Sequence, residues 1–315
     1  MTSAPTSVLT FAKGHGTEND FVLLDDRTGS LDLTPELVRA LADRRAGVGG
    51  DGVIRVVPTA SVPGGSAVLA ADPSAVWFMD YRNADGSVAE MCGNGVRVFA
   101  AYLERLGLAE VPQCAPGEAS LAVGTRAGVR RVRRETNGWF AVDMGPWRVT
   151  GGAAATIAGA DSEVTVAGLD VPRPALGIDV GNPHAVVALA DLAALASADL
   201  SRAPAVSPAP LHGINVELVV PLGEEVDADG RTVGRLRMRV HERGVGETRS
   251  CGTGACAAAL AVRAWAGDGA PDVWLVDVPG GTLRVSLLAT GTVELAGPAE
   301  LVAAGEVDLS SLTVG

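Results

Sequence analysis

Apolar and polar positions alternate in short runs along most of the chain. Residues 7–12, 21–24, 53–57, 76–80 and 186–189 are brief β-branched or aromatic stretches bounded by turn residues, and each predicts a strand. Residues 216–220, 235–241, 273–278, 282–288 and 291–296 read the same way, the last two joined through Ala289-Thr290-Gly291 as a hairpin-like pair. Helical spacing is rarer. Residues 35–44 follow Thr34, whose hydroxyl can cap a first turn that opens on Pro35 and contains Glu36. Leu37 stands where Glu or Gln would complete a capping box. Strands adjoin strands with few helices between them, which predicts an α+β fold with mostly antiparallel pairing.

Two further helices share an opening. Cys92-Gly93-Asn94-Gly95 leads into Val96, Phe99, Tyr102, Leu103 and Leu106 at helical spacing, with Gly107 as the stop. Cys251-Gly252-Thr253-Gly254 leads into residues 255–265, apolar on nearly every face, as a fully buried helix would be. The two cysteines are 159 positions apart, about half the chain, which predicts two similar halves. The Gly-, Ala- and Pro-rich stretch 145–174 is the candidate boundary between them. Residues 196–213, with Pro204, Pro208 and Pro210, read as a long loop.

Composition narrows the chemistry. The chain has 315 residues, 47% of them apolar and 20% charged, enough to bury a core in each of two domains. A net charge of −12, with Arg130-Arg131-Val132-Arg133-Arg134 as its one basic cluster, is the wrong balance for a phosphate-reading nucleic-acid binder. Lys13 is the only lysine, so it alone could form a Schiff base with pyridoxal phosphate, and no phosphate loop surrounds it. His15, His184, His212 and His241 are too scattered for a metal-ligand spacing, so no metal is expected. Residues 1–14 lack a charged start followed by an apolar run, and no stretch reaches 18 apolar residues. The expectation is therefore no signal peptide, no membrane span and a cytoplasmic protein whose cysteines stay reduced.

A helix N-terminus offers unpaired N–H groups and the positive end of the dipole, and glycines there let a ligand come close. Such a mouth binds a carboxylate and favours thiolate over thiol. Two of them, each opened by a cysteine, suit one small amino-acid ligand with a sulfur on either face of its Cα. One thiolate removes the Cα proton, the opposite thiol returns another, and the stereocentre inverts without a cofactor. Reactive approach requires each sulfur within ~3.5 Å of Cα, hence sulfurs roughly 7 Å apart. Lowering a thiol from ~8.5 to ~7 takes roughly 2 kcal/mol. A helix dipole supplies about 0.3–1, so a neighbouring base or charge must help. Cys114 and Cys256 lack the glycines and read as inert filler. Gly47-Val48-Gly49-Gly50-Asp51-Gly52 matches a dinucleotide fingerprint, but it follows a helix and precedes a strand, the reverse of the required order.

The residues resemble the diaminopimelate epimerase family along most of the chain. The resemblance is carried by His15-Gly16-Thr17-Glu18-Asn19-Asp20-Phe21, Arg45-Ala46-Gly47-Val48-Gly49-Gly50-Asp51-Gly52, Asn83-Ala84-Asp85-Gly86-Ser87 and Met91-Cys92-Gly93-Asn94-Gly95-Val96-Arg97. It continues through Gly181-Asn182-Pro183-His184, Ile214-Asn215-Val216-Glu217 and the run from Glu242-Arg243 to Cys251-Gly252-Thr253-Gly254. It implies an isomerase that interconverts LL- and meso-2,6-diaminopimelate, on the bacterial route to lysine and peptidoglycan. It implies Cys92 and Cys251 as the acid/base pair, with His184 and Glu242 tuning the thiols. Gly93, Asn94, Gly252 and Thr253 would hold the reacting carboxylate. Asn19, Asn83, Asn182, Asn215, Glu242 and Arg243 would read the distal amino-acid end.

The implied fold is two pseudo-symmetric domains, each a barrel-like sheet around a central helix. Residues 1–145 would carry Cys92 and residues 146–300 Cys251, with 301–315 returning to the first domain. A homodimer is likewise implied. The chain departs from the family pattern at two places: Thr17-Glu18 replace an apolar residue and a glycine, and Gly52 stands where some members carry glutamine. The rivals are a proline or hydroxyproline racemase, whose first mouth would read Cys-Gly-His-Gly, and a phenazine-type isomerase lacking the cysteine pair. A third is an amino-acid binding protein for which thiols are dispensable.

Overall fold

The computed structural model describes residues 8–227 and 230–312; Ser7 of the first predicted strand and residues 313–315 of the tail lie outside them. In chain order the elements begin with β1 (Val8–Gly16), β2 (Asn19–Asp25), α1 (Pro35–Ala42), β3 (Gly52–Pro58), α2 (Gly65–Ala71), β4 (Trp77–Asn83) and α3 (Gly93–Arg105). There follow β5 (Leu121–Thr125), β6 (Gly128–Arg134), β7 (Phe140–Pro146), β8 (Arg148–Val149), α4 (Gly152–Ala158), β9 (Ser162–Thr165), β10 (Arg173–Asp179) and β11 (Pro183–Ala188). Then come α5 (Leu192–Ser197), β12 (Ala205–Ser207), β13 (Asn215–Val226), β14 (Thr232–Glu242), β15 (Gly246–Thr248) and α6 (Gly252–Ala266). The last are β16 (Val273–Val278), β17 (Gly281–Leu287), β18 (Thr292–Gly297) and β19 (Glu300–Asp308).

Two compact units form: one runs to Val142 and resumes at Pro298, the other is Asp143–Gly297. In the first, β1 and β2 are an antiparallel hairpin, β2 runs parallel to β3, β3 antiparallel to β4, β4 parallel to β5, and β5 antiparallel to β6. In the second, the pairs β10–β11, β11–β13, β13–β14, β14–β16 and β16–β17 repeat that order: antiparallel, parallel, antiparallel, parallel, antiparallel. β19 pairs antiparallel with β1, so the end of the chain completes the first unit's sheet.

Each unit wraps strands around one helix. α3 touches β1 to β6 and β19; α6 touches β10, β11, β13, β14 and β16 to β18. The sequences explain the enclosure. Val96, Val98, Phe99, Ala100 and Leu103 have no exposed surface on α3, and α6 buries Gly254 through Val262 without a polar stripe. α1 needs less cover: the Thr34 hydroxyl accepts from the Leu37 N–H, and Val38 and Leu41 anchor its inner face.

Several expectations are corrected. The stretch 145–174, the candidate boundary, is not irregular chain: it holds β8, α4, β9 and the start of β10, and the units divide just before it, at Val142/Asp143. Its elements were hidden because α4 is mostly small residues, with its one large apolar side chain, Ile157, exposed and only Ala155 buried, and β9 has a single core residue, Val164. The loop 196–213 contains β12. The basic cluster 130–134 is the body of β6. Arg131 pairs with Asp72, Arg133 with Glu135 and Arg134 with Glu104, in keeping with the sequence reading that excludes a phosphate-reading binder. Among the described residues no helix is long and apolar enough to cross a membrane, and no three His, Cys, Asp or Glu side chains cluster to hold a metal.

Candidate active site

The first cysteine mouth is built by α3 and the β1–β2 hairpin. Cys92 is the N-cap of α3: its backbone is extended and its sulfur accepts from the Gly95 N–H at 3.4 Å. Asn19, at the start of β2, brings its carboxamide oxygen within 3.5 Å of the Cys92 sulfur and 3.3 Å of Asn94 Nδ2. The other end of Asn19 donates to Asp51 at 2.7 Å, and Asp51 pairs with Arg44. Asn94 is held from behind by Arg97, which has no exposed surface and also donates to the Pro298 carbonyl at 2.9 Å. Asp51 and Arg97 carry no role in the sequence reading. Their signal was an acid in a glycine loop and a cation inside an apolar helix.

The second mouth repeats the plan with different chemistry. Cys251 caps α6 and accepts from the Gly254 N–H at 3.3 Å. Thr253 Oγ1 lies 3.5 Å from its sulfur. Asn182, in the β10–β11 turn, donates to that hydroxyl at 3.3 Å, and its oxygen lies 3.0 Å from His184 Nε2. His184 Nδ1 lies 2.7 Å from Glu217 Oε1, with both side chains fully enclosed. Glu217 is a site residue missed by the sequence reading. A charge in the middle of the apolar run of β13 was its signal.

The helix mouth alone predicts a lowered Cys251 thiol, and the structure reverses this. Burial pushes the thiol well above its ordinary range, and the negative charges of Glu242 and Glu217 push the same way. The hydrogen bonds from Thr253 and the Gly254 N–H oppose them and do not prevail.

The remaining predicted residues sit around these two clusters. Asn83, at the end of β4, pairs in register with Gly52 and donates to Ser87. Asn215, opening β13, lies beside His184 in register and accepts from the Arg243 N–H at 2.9 Å. Arg243 is exposed and donates to the His212 carbonyl. Glu242, half-buried at the end of β14, accepts from Thr248. Gly93 and Gly252 are the buried first residues of their helices. Cys256 is core filler inside α6, whereas Cys114 is half-buried in a loop, its sulfur 2.9 Å from the Ala119 carbonyl. The 47–52 glycine run closes α1: the N–H groups of Val48, Gly49 and Gly50 donate to the carbonyls of Leu41 and Ala42.

The diaminopimelate epimerase family profile matches residues 11–150 and 177–302. Similar relatives include the diaminopimelate epimerases of Streptomyces coelicolor, 47% identical over 95% of this chain and 96% of that one, and of Thermobifida fusca, 48% identical over 96% and 99%. The chain belongs to the diaminopimelate epimerase family. Solved structures extend the fold beyond it. A Bacillus anthracis phenazine biosynthesis protein of the PhzF family superposes with a TM-score of 0.61 at 16% identity, covering 95% of this chain and 99% of that one. A hydroxyproline epimerase from Agrobacterium vitis gives 0.56 at 15%, covering 96% and 92%. The α+β, diaminopimelate epimerase-like fold expected from the sequence is the fold found.

Both departures from the family pattern have a structural setting. Thr17 and Glu18 form the β1–β2 turn with φ of 50° and 62°, a left-handed geometry that suits glycine or asparagine better than either residue. At Gly52 a Cβ would stand 2.4 Å from the Arg82 carbonyl, so this backbone leaves no room for a side chain.

Proposed function

We propose that the protein epimerises LL-2,6-diaminopimelate to the meso form by a two-base mechanism, with Cys92 and Cys251 as the acid/base pair and no cofactor. The observation that carries the reading is the duplicated mouth. In a chain of this family, each half presents a cysteine as the N-cap of its central helix with a glycine N–H on the sulfur; the Asn19 amide lies beside the Cys92 sulfur, and the Asn182 amide reaches the Thr253 hydroxyl that faces Cys251.

The chemistry follows from those parts. A substrate carboxylate is held by the N–H groups at Gly93, Asn94, Gly252 and Thr253, which stabilise the charge that grows as Cα is deprotonated. One sulfur acts as thiolate and the other as thiol, so their protonation states exchange with each turnover. The unlike surroundings of the two cysteines suit that division: carboxylates face Cys251, while a buried arginine stands behind Asn94 on the other helix. His184 and Glu242 set the thiol at the second mouth. Asn19, Asn83, Asn182, Asn215, Glu242 and Arg243 read the distal amino-acid group, where carboxamides offer both donor and acceptor to a zwitterion and the guanidinium grips a carboxylate. The protein works as a cytoplasmic homodimer on a small-molecule substrate, with no nucleic acid or membrane partner.

Purified protein in deuterated water, given LL-2,6-diaminopimelate and no added cofactor, exchanges the α-hydrogen and accumulates the meso isomer. Turnover of proline or hydroxyproline in place of diaminopimelate would overturn the substrate. Full activity in Cys92→Ala or Cys251→Ala would overturn the acid/base pair.

A further inference from the structure

The side chains behind Cys251 form a chain of four contacts: Glu217 Oε1 to His184 Nδ1 at 2.7 Å, His184 Nε2 to Asn182 Oδ1 at 3.0 Å, Asn182 Nδ2 to Thr253 Oγ1 at 3.3 Å, and Thr253 Oγ1 to Cys251 Sγ at 3.5 Å. Its polarity can be counted. Asn182 donates through its nitrogen to Thr253, so its oxygen faces the ring and can only accept. Nε2 of His184 therefore carries a hydrogen. The 2.7 Å contact on the other side of the ring also needs a hydrogen between nitrogen and oxygen. A neutral imidazole has only one N–H, and a carboxylate has none. The second hydrogen sits either on Nδ1, giving imidazolium beside carboxylate, or on Glu217, giving a carboxyl beside neutral imidazole. Both arrangements contain the same number of protons and leave the pair with no net charge.

The surroundings favour that count. Glu217 and His184 have no exposed surface, and Glu217 Oε2 has no hydrogen-bond partner. A neutral imidazole beside a bare carboxylate would leave an unbalanced charge in that enclosure, which is costly. The helix is shaped around the same group: a Cβ on Gly254 would come within 2.7 Å of Glu217 Oε1.

We infer that His184 and Glu217 together hold one proton more than a neutral imidazole beside a carboxylate, and that the hydrogen this leaves on Nε2 turns the Thr253 hydroxyl hydrogen, through Asn182, toward Cys251. Thr253 accepts from Asn182, so its own hydrogen is free to donate to the sulfur. That donation supports the thiolate at the half of the cycle in which Cys251 is the base. The effect on turnover rests on the two-thiol reading above; the proton count does not.

The test reads the ring directly. In protein labelled with nitrogen-15 histidine, His184 is resolved by substituting His15, His212 and His241 one at a time. The expected spectrum at neutral pH has a protonated Nε2 and an Nδ1 that is protonated or shares its hydrogen. A neutral ring bearing its hydrogen on Nδ1, with Nε2 bare, would reverse the amide of Asn182 and overturn the proposal. The Glu217→Gln variant gives the second readout. Its amide donates to Nδ1 and keeps Nε2 protonated but cannot supply the extra proton. Its nitrogen spectrum should show Nε2 still protonated and Nδ1 now bare and accepting. An Nδ1 that stays protonated in that variant, or an Nε2 that becomes bare, overturns the proposal. Should the wild-type protein fail to turn over LL-diaminopimelate, the functional reading fails and the nitrogen spectrum alone decides the proton count.

Discussion

Gly95 and Gly254 occupy the same place in their helices, each three residues after its capping cysteine, yet adding one methyl group to each should have opposite consequences. Alanine is favoured over glycine inside a helix by roughly 0.5–1 kcal/mol. At Gly95 the new methyl meets Ile54 Cδ1 at 3.1 Å, Cys92 Cβ at 3.4 Å and Phe21 Cζ at 3.6 Å. The closest of these is the far end of a flexible side chain, so the crowding about offsets the gain, and Gly95→Ala should stay within about 0.5 kcal/mol of wild type. At Gly254 it meets Glu217 Oε1 at 2.7 Å and the Cys251 sulfur at 3.2 Å. The carboxylate must retreat by about 0.5 Å or more inside an enclosure it shares with His184, and such overpacking costs roughly 1–3 kcal/mol. Gly254→Ala should therefore lose about 1–2 kcal/mol net. It should also lose activity, because the contacts behind Cys251 shift with the carboxylate. Urea unfolding of the two variants side by side is the assay. Equal midpoints for Gly95→Ala and Gly254→Ala would refute the close approach of helix and carboxylate.

Two further substitutions probe the first unit. A left-handed backbone costs an ordinary residue about 1–2 kcal/mol, and glycine gives back part of the gain as chain entropy. Glu18→Gly should therefore stabilise by about 0.5–1 kcal/mol in thermal or urea unfolding, and an unchanged or lower midpoint would count against the strained turn. Asp20 titrates at about 2: burial opposes its ionisation, but hydrogen bonds from Arg44 and Lys13 outweigh it. Its contribution, about 2 kcal/mol, is fully present above the unfolded carboxyl value of ~3.9 and is lost as pH falls toward 2. Asp20→Asn should thus be less stable than wild type at pH 7 and indistinguishable from it near pH 2. A deficit that persists undiminished into acid would contradict the assignment.

The parts of the molecule that were legible in the sequence share one property: local pattern and tertiary role agree. Val273–Val278 is predicted and found residue for residue because its β-branched run is flanked by turns. Both cysteine mouths were legible because glycines and an apolar helix follow each one, with Gly107 as a stop after the first. What was hidden lies where composition masks the role. β6 is an arginine-rich strand whose guanidinium groups find acids on other elements, a contact no local window contains. α4 offers no apolar stripe, because six of its seven residues escape burial. The raised Cys251 thiol was illegible for a related reason. A helix dipole is worth a fraction of a kcal/mol to about 2 and can be read from the chain. The burial and the two carboxylates that outweigh it belong to the folded enclosure. Glu217 was visible as a charge among valines and leucines, but its partner His184 lies 33 positions earlier, on a parallel strand.

The claim on which the rest depends is that one sulfur removes the Cα hydrogen and a different sulfur returns one. The most direct measurement runs LL-2,6-diaminopimelate in deuterated water and stops it at low conversion, with mass analysis of both isomers. A thiol formed by taking the substrate's hydrogen is not the group that reprotonates the opposite face. Early meso product should therefore carry one deuterium at the inverted carbon, while recovered LL substrate keeps its hydrogen. Equal deuterium in product and recovered substrate at low conversion, or product that keeps the original hydrogen, would mean that a single group does both jobs, and would contradict the account.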